Sequence, residues 1–267
     1  MSGGLSISPG LVPVVNLSVV GGTTVTPSAT INTKGVWASL GTLNRDCTAF
    51  MLGLSYANQG GTDSATSIDI GIGASGSQVV LISNIALSVA TGGIFSLTQM
   101  QLMIPIALAT GAQIWARCAA NKASSTAFYR AWFTAYDGNF TGQAGYAGVE
   151  TIGNTATGAG TAVTGGSNVK GSYVNVGSPT TKDWVGFFAT YDMAANAANE
   201  SQMDWDIAIG ASNKIIVPDY FMYQAGVETA SQQDFFPLPI PAGTQFSARA
   251  ACVASANTGG ITIHGIF

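Results

Sequence analysis

Apolar residues at every second position mark the first clear strand: Ile68, Ile70 and Ile72 alternate with Asp69 and Gly71. The pattern returns later, where Trp205, Ile207 and Ile209 alternate with Asp206 and Ala208. A period of two with one apolar face predicts a half-buried strand in both places. Gly73-Ala74-Ser75-Gly76 and Gly210-Ala211-Ser212-Asn213 then turn the chain. Gly76 and Asn213 share the final position because both residue types tolerate positive φ. Val79 to Ile82 and Ile215 to Val217 return as partner strands, so a hairpin is written twice.

The duplication runs further. Pro105 to Arg117 and Pro237 to Arg249 each carry a Pro-rich strand, a turn at Gly111 or Gly243, and a closing strand. In the closing strands Ile114, Ala116 and Cys118 alternate with Trp115 and Arg117, and Phe246, Ala248 and Ala250 with Ser247 and Arg249. Upstream, Asn32-Thr33-Lys34-Gly35-Val36-Trp37 matches Asn168-Val169-Lys170-Gly171-Ser172-Tyr173. Thr48 to Tyr56 and Trp184 to Tyr191 read as buried strands. The spacing between copies, 132 residues from Pro105 to Pro237 and 137 from Asp69 to Asp206, suits a whole domain rather than a solenoid repeat.

The expected division is an extended N-terminal arm (1–22), a first β-sandwich (23–137), a Gly/Thr/Ala-rich connector (138–162) and a second β-sandwich (163–267). Pro9 and Pro13 argue against a central strand in the arm, which is expected to dock on a neighbouring subunit. No amphipathic helix of ordinary length is visible. Many short strands separated by Gly/Pro turns predict an all-β chain of two tandem duplicated jelly-roll-like sandwiches. Ser83 to Gln99 and Pro218 to Asp234 differ most between copies and are expected to be loops where function diversifies.

Composition changes this picture in one respect. Charged residues make up only 8% and hydrophobic residues 47%, with a mean hydropathy of +0.33. No apolar run approaches the roughly 18 residues of a spanning helix, so no membrane partner is expected. The N-terminus lacks the basic and apolar segments of a secretion signal. An exterior so poor in charge is poorly defended against association, which points to burial against other subunits. The net charge of −4 and the scatter of nine Lys and Arg leave no basic patch for nucleic acid. Cys47, Cys118 and Cys252 show no metal or redox spacing and are expected to be buried thiols.

Candidate chemistry is sparse. Gly71 to Gly76 matches a dinucleotide-binding glycine pattern, but a β-branched strand follows where a helix must open, so it reads as a turn. The serine-elbow pattern fails at Ser77. One histidine, His264 on an alternating strand, gives neither a Ser-His-Asp triad nor a multi-histidine metal site. Asp63, Asp69, Asp204 and Asp206 lack the spaced acidic loop of a calcium site. No cofactor or metal is expected. Asp69 with Arg117, and Asp206 with Arg249, are the charges shared best by both copies, and parity puts each pair on the outward face of its strands. A cross-strand ion pair in each unit is the expectation; a carboxylate–arginine site for a sugar or anion is the functional alternative. Trp37, Trp115, Trp132, Trp184 and Trp205 read as core or interface anchors.

Asn32 to Trp37, Asp69 to Ser77 and Pro239 to Arg249 together resemble β-sandwich structural proteins of tailed bacteriophages. The resemblance covers both units, hence most of the chain past residue 23, and the second unit departs from it at Ala208 and Asn213. It implies a non-enzymatic virion component with no catalytic residues to carry over. The expected role is tail- or fibre-associated, with capsid decoration as the alternative. A host-facing module that binds surface glycan is an alternative of another class, and a hydrolase lacks a base. The expected partners are further copies of the chain, as a trimer, and other virion proteins.

Overall fold

The computed structural model describes residues 12–16, 22–58, 64–89, 98–120, 127–137, 146–153, 160–192, 201–225, 228–230, 235–252 and 258–267. The described residues are all-β. The first half contains β1 (Val12–Asn16), β2 (Thr23–Val25), β3 (Ala38–Thr42), β4 (Ala49–Asn58), β5 (Ser64–Ile72), β6 (Val79–Val89), β7 (Thr98–Ile104), β8 (Gln113–Ala120) and β9 (Ala127–Asp137). One sheet runs β1-β9-β4-β7, with β2 also on β9, and the other runs β3-β8-β5-β6. Consecutive strands that alternate between two facing sheets in this order make a jelly roll.

The second half repeats the plan with β10 (Val149–Ile152), β11 (Thr161–Thr164), β12 (Gly166–Ser167), β13 (Val174–Asn175), β14 (Gly186–Asp192), β15 (Ser201–Ile209), β16 (Lys214–Ala225), β17 (Glu228–Ala230), β18 (Phe246–Cys252) and β19 (Thr258–Ile266). Here β10, β11 and β14 all pair with β19, while the facing sheet runs β12-β18-β15-β16-β17 with β13 also on β18. The chain is two tandem jelly-roll-like sandwiches.

Three expectations need correction. Val12–Asn16 of the expected arm is a strand of the first sandwich: β1 pairs antiparallel with β9 of the same chain, from Val12 opposite Asp137 to Asn16 opposite Thr134. The connector is likewise part of the fold, since β10 pairs with β19 in the equivalent place, Val149 opposite Ile266. Each sandwich therefore has an edge strand in two pieces, β1 with β2 and β10 with β11, laid along one neighbour. The rest of the arm (1–11 and 17–21), and residues 138–145 and 154–159 of the connector, lie outside the described residues. Finally, the described parts of the stretches expected to be variable loops are strand, because β6 extends to Val89 and β16 to Ala225, while 90–97, 226–227 and 231–234 lie outside the described residues.

Alternating inward side chains build the two cores. The first centres on Phe50, Leu52, Leu54, Ile68, Ile70, Ile114 and Phe133, and the second on Trp184, Phe187, Trp205, Ile207, Phe246, Ile261 and Ile263. Phe50 stacks on Phe133 at 4.6 Å between centroids, and Trp184 on Phe246 at 5.3 Å. Trp184 and Trp205 are core residues as expected, whereas Trp37 and Trp115 are half-buried. None of the three cysteines forms a disulfide and all are buried. Burial pushes the Cys118 thiol up to about 12, which leaves it an unreactive filler.

The sandwiches meet through β6, which lies against the outer face of the sheet formed by β10, β19 and β14. Phe188 and Ile266, which point out of the second sandwich, are members of the first core. At the centre of this seam Ala86 N–H donates to Thr190 Oγ1 at 3.2 Å. The same hydroxyl lies 3.1 Å from His264 Nε2, and Thr151 Oγ1 lies 3.1 Å from Nδ1. Phe188 stacks on the imidazole at 4.7 Å. His264 is wholly buried, and that burial pulls its pKa down to about 3, so the ring is neutral.

Candidate functional site

The residues singled out by duplication come together twice. Asp69 on β5 lies opposite Arg117 on β8, and Asp206 on β15 opposite Arg249 on β18. Arg117 Nε is 2.9 Å from Asp69 Oδ2, and Arg249 Nε is 2.8 Å from Asp206 Oδ2. Parity puts both aspartates on the outward faces, yet each is only 3% exposed. What covers them is the chain's own preceding segment rather than a neighbouring subunit.

That segment carries a residue that strand parity alone does not find. Lys34 Nζ lies 2.9 Å from Asp69 Oδ1, and Lys170 Nζ lies 3.0 Å from Asp206 Oδ1. Each lysine belongs to the shared Asn-x-Lys-Gly sequence, and the local backbone explains that sequence. Asn32 and Asn168 have φ of 56° and 53°, in the left-handed region that asparagine tolerates. A Cβ on Gly35 would meet the Thr26 carbonyl, and one on Gly171 the Thr164 carbonyl. Their amides donate to Cys118 O and Ala250 O, both at 2.8 Å, which fixes the lysines above the sheet.

The aromatic residue three positions on closes the site. Arg117 lies over the Trp37 ring at 4.4 Å, and Arg249 over Tyr173 at 4.6 Å. Beneath Trp37 there is no space for a side chain on β5: a Cβ on Gly71 would lie 2.7 Å from the ring. In the second unit a tyrosine stands at the Trp37 position and Ala208 at the Gly71 position, so the smaller ring goes with the larger strand residue. The glycine in the apparent dinucleotide motif is thus there for an indole, and a strand follows the turn.

Each aspartate also holds a bulge. Asp69 Oδ1 accepts the Asn84 N–H at 2.9 Å, and Asp206 Oδ1 accepts the Asp219 N–H at 3.0 Å. Asn84 and Asp219 have φ of 51° and 48°, and the β5–β6 and β15–β16 registers shift opposite the aspartates. A buried carboxylate that binds an ammonium, a guanidinium and a backbone amide is a staple joining four segments of one sandwich.

The two staples differ electrostatically. In the first, Lys34 also donates to Ser67 O and Oγ, at 3.2 and 2.9 Å. Burial lowers its pKa and Asp69 only partly offsets that. In the second, Asp204 and Asp219 replace Ser67 and Asn84, with oxygens 3.3 and 3.0 Å from Lys170 Nζ. Desolvation lowers the Lys170 pKa, but hydrogen bonds to Asp206 and Asp219 and the Asp204 charge more than reverse this, leaving it raised. Burial raises the Asp204 carboxyl. Burial also opposes ionisation of Asp206, but the Asp219 amide, Lys170 and Arg249 prevail and its pKa is lowered. Asp63, the remaining residue of the calcium reading, lies outside the described residues.

The turn residues Gly73, Gly76, Gly111, Gly210, Asn213 and Gly243 all have positive φ. Trp115 Nε1 donates to Gly73 O at 2.7 Å and braces the first hairpin, and Ser247 Oγ contacts Asn213 Oδ1 at 2.6 Å in the second.

No protein-family model matches this sequence, and no curated protein matches it. Among solved structures, one of PNGF-II aligns at 8% identity with a TM-score of 0.49, over 94% of this chain and 65% of that one. The tandem CBM22-1–CBM22-2 domain of Paenibacillus barcinonensis Xyn10C aligns at 10% identity with a TM-score of 0.31, over 98% and 99%. Both scores lie below 0.5, and neither neighbour bears on the activity of this chain.

Proposed function

We propose that this chain is a non-enzymatic structural component of a bacteriophage virion, tail- or fibre-associated, which assembles with copies of itself and with other virion proteins. One observation carries the reading: the charges common to both units are used inside the fold, while large apolar side chains face outward. Val36 is 83% exposed, Val79 67%, Val169 63% and Phe221 55%. On a chain with only 8% charged residues, such positions favour burial against other subunits. A capsid-decoration role would use the same surfaces and differs in location.

The test is sedimentation of the purified chain together with immunogold labelling of intact particles. Concentration-dependent association and label on the tail are the expected results. Label on the capsid shell would replace the tail assignment with decoration. A chain that stays monomeric and labels no particle would overturn the reading, and specific binding on a glycan array would then favour a carbohydrate-binding module.

A further inference from the structure

The seam between the two sandwiches is heterologous: a strand of the first lies on a sheet face of the second. Because the sandwiches are copies, the chain also carries the counterparts of the reverse pair: on the second, strand β16, which β17 flanks from Tyr223 onward, and on the first, the outer face of the β9–β4 sheet.

The registers identify both. Gly71 faces Val80 and Ala208 faces Ile215, and the bulge residues Asn84 and Asp219 keep the same offset of 135 residues. Ala86, which bonds to Thr190 across the seam, therefore corresponds to Phe221. Asn84, Ile85 and Ala86 are buried, whereas Asp219 is exposed, Tyr220 half-buried and Phe221 55% exposed. On the receiving sheets Phe50 lies opposite Ala135 and Phe187 opposite Gly265, so Met51, Thr134 and Tyr136 correspond to Phe188, His264 and Ile266. The second-unit residues are buried in the seam, and their first-unit counterparts are half-buried.

Resting on the assembly reading above, we infer that Phe221 of one copy docks on the Met51–Thr134–Tyr136 face of the next, in the place β6 takes within one chain, with apolar packing instead of the Ala86–Thr190 hydrogen bond, whose acceptor position is Gly53 in the first unit. The occupant is a second copy because the chain itself supplies the template for both sides. The exposed aromatic ring is the anchor such a contact needs. The join is head-to-tail, so it closes into a ring when its rotation allows and otherwise extends.

Sedimentation of wild type, Phe221→Lys and Met51→Glu, alone and mixed, tests this. Wild type is expected to associate with concentration. Each variant alone is expected to be weakened about 30-fold or more, the scale of losing an interface anchor. Their mixture is expected to stop at a heterodimer, because only the Phe221 edge of the Met51→Glu chain and the intact face of the Phe221→Lys chain remain compatible. Thr134→Lys replaces Met51→Glu if circular dichroism shows the latter misfolded. Wild-type association unchanged by Phe221→Lys would overturn the inference and leave the assembly reading standing. So would a wild-type chain that is monomeric in solution yet present in particles. A monomer absent from particles would overturn both.

Discussion

Lys34 and Lys170 occupy one position in two copies of a module and burial acts on both, yet their pKa values move in opposite directions. The cause is two substitutions in their surroundings. Ser67 and Asn84 leave Lys34 with one carboxylate, whereas Asp204 and Asp219 give Lys170 three. The Lys–Asp–Arg geometry barely changes between copies. What duplication kept is the clamp on the bulge, and what it released is the charge around it.

The largest way to break this comparison is to remove the central carboxylates. Asp69→Ala leaves Lys34 and Arg117 with no carboxylate, only Ser67 and the Trp37 ring, and is expected to cost about 3–5 kcal/mol, the range for uncoupling a buried pair. Asp206→Ala leaves Lys170 its bonds to Asp204 and Asp219 and is expected to cost clearly less. Denaturant unfolding measures both, and equal losses would show that the added carboxylates contribute nothing.

Acid is next. An unfolded histidine titrates near 6.5, but buried His264 near 3. Between these values the unfolded chain takes up a proton that the folded chain refuses, so stability falls as pH drops from about 6.5 toward 3. The full loss is on the order of 5 kcal/mol. Glu150 and Asp206, whose pKa values are lowered, act in the same direction only once pH falls below the ordinary carboxylate range. His264→Gln is therefore expected to flatten the stability curve between pH 6.5 and about 4.5. An unchanged slope there would exclude the seam as its origin.

Gly71→Ala is expected to cost about 1–3 kcal/mol by overpacking against Trp37. Trp37→Tyr should recover part of that in the double variant, since the second unit already pairs tyrosine with alanine. Additive losses would show that the two differences between copies are unrelated. The smallest effect is at the hairpin turns. Gly76→Ala forces a Cβ into positive φ and is expected to cost about 1 kcal/mol, while Asn213→Gly should be nearly neutral. Thermal melting resolves the difference.

Much of this architecture was legible because period two fixes which residues face each other. The alternation of β5 and β8 was enough to put Asp69 across from Arg117, and that of β15 and β18 to put Asp206 across from Arg249. The lysines were not legible as partners. They lie 35 and 36 residues upstream of their aspartates, on segments with no period, and only the recurrence of Asn-x-Lys-Gly marks them. The full length of β6 was hidden by the bulge: positive φ at Asn84 interrupts the alternation that the eye follows. The strand β1 was missed because Pro13 argues against a central strand but not against an edge, and β10 because its four residues lie in a Gly/Thr/Ala-rich stretch that reads as a connector.

Strand β19 binds β10, β11 and β14 and also brings Ile266 to the first core. Translation delivers it after all three of those strands, so they emerge from the ribosome before the strand they share. Until β19 follows, the earlier half waits with an open apolar seat where Phe188 and Ile266 will lie. The growing polypeptide thus has a late vulnerable window, and a pause in elongation just before residue 258 would lengthen it.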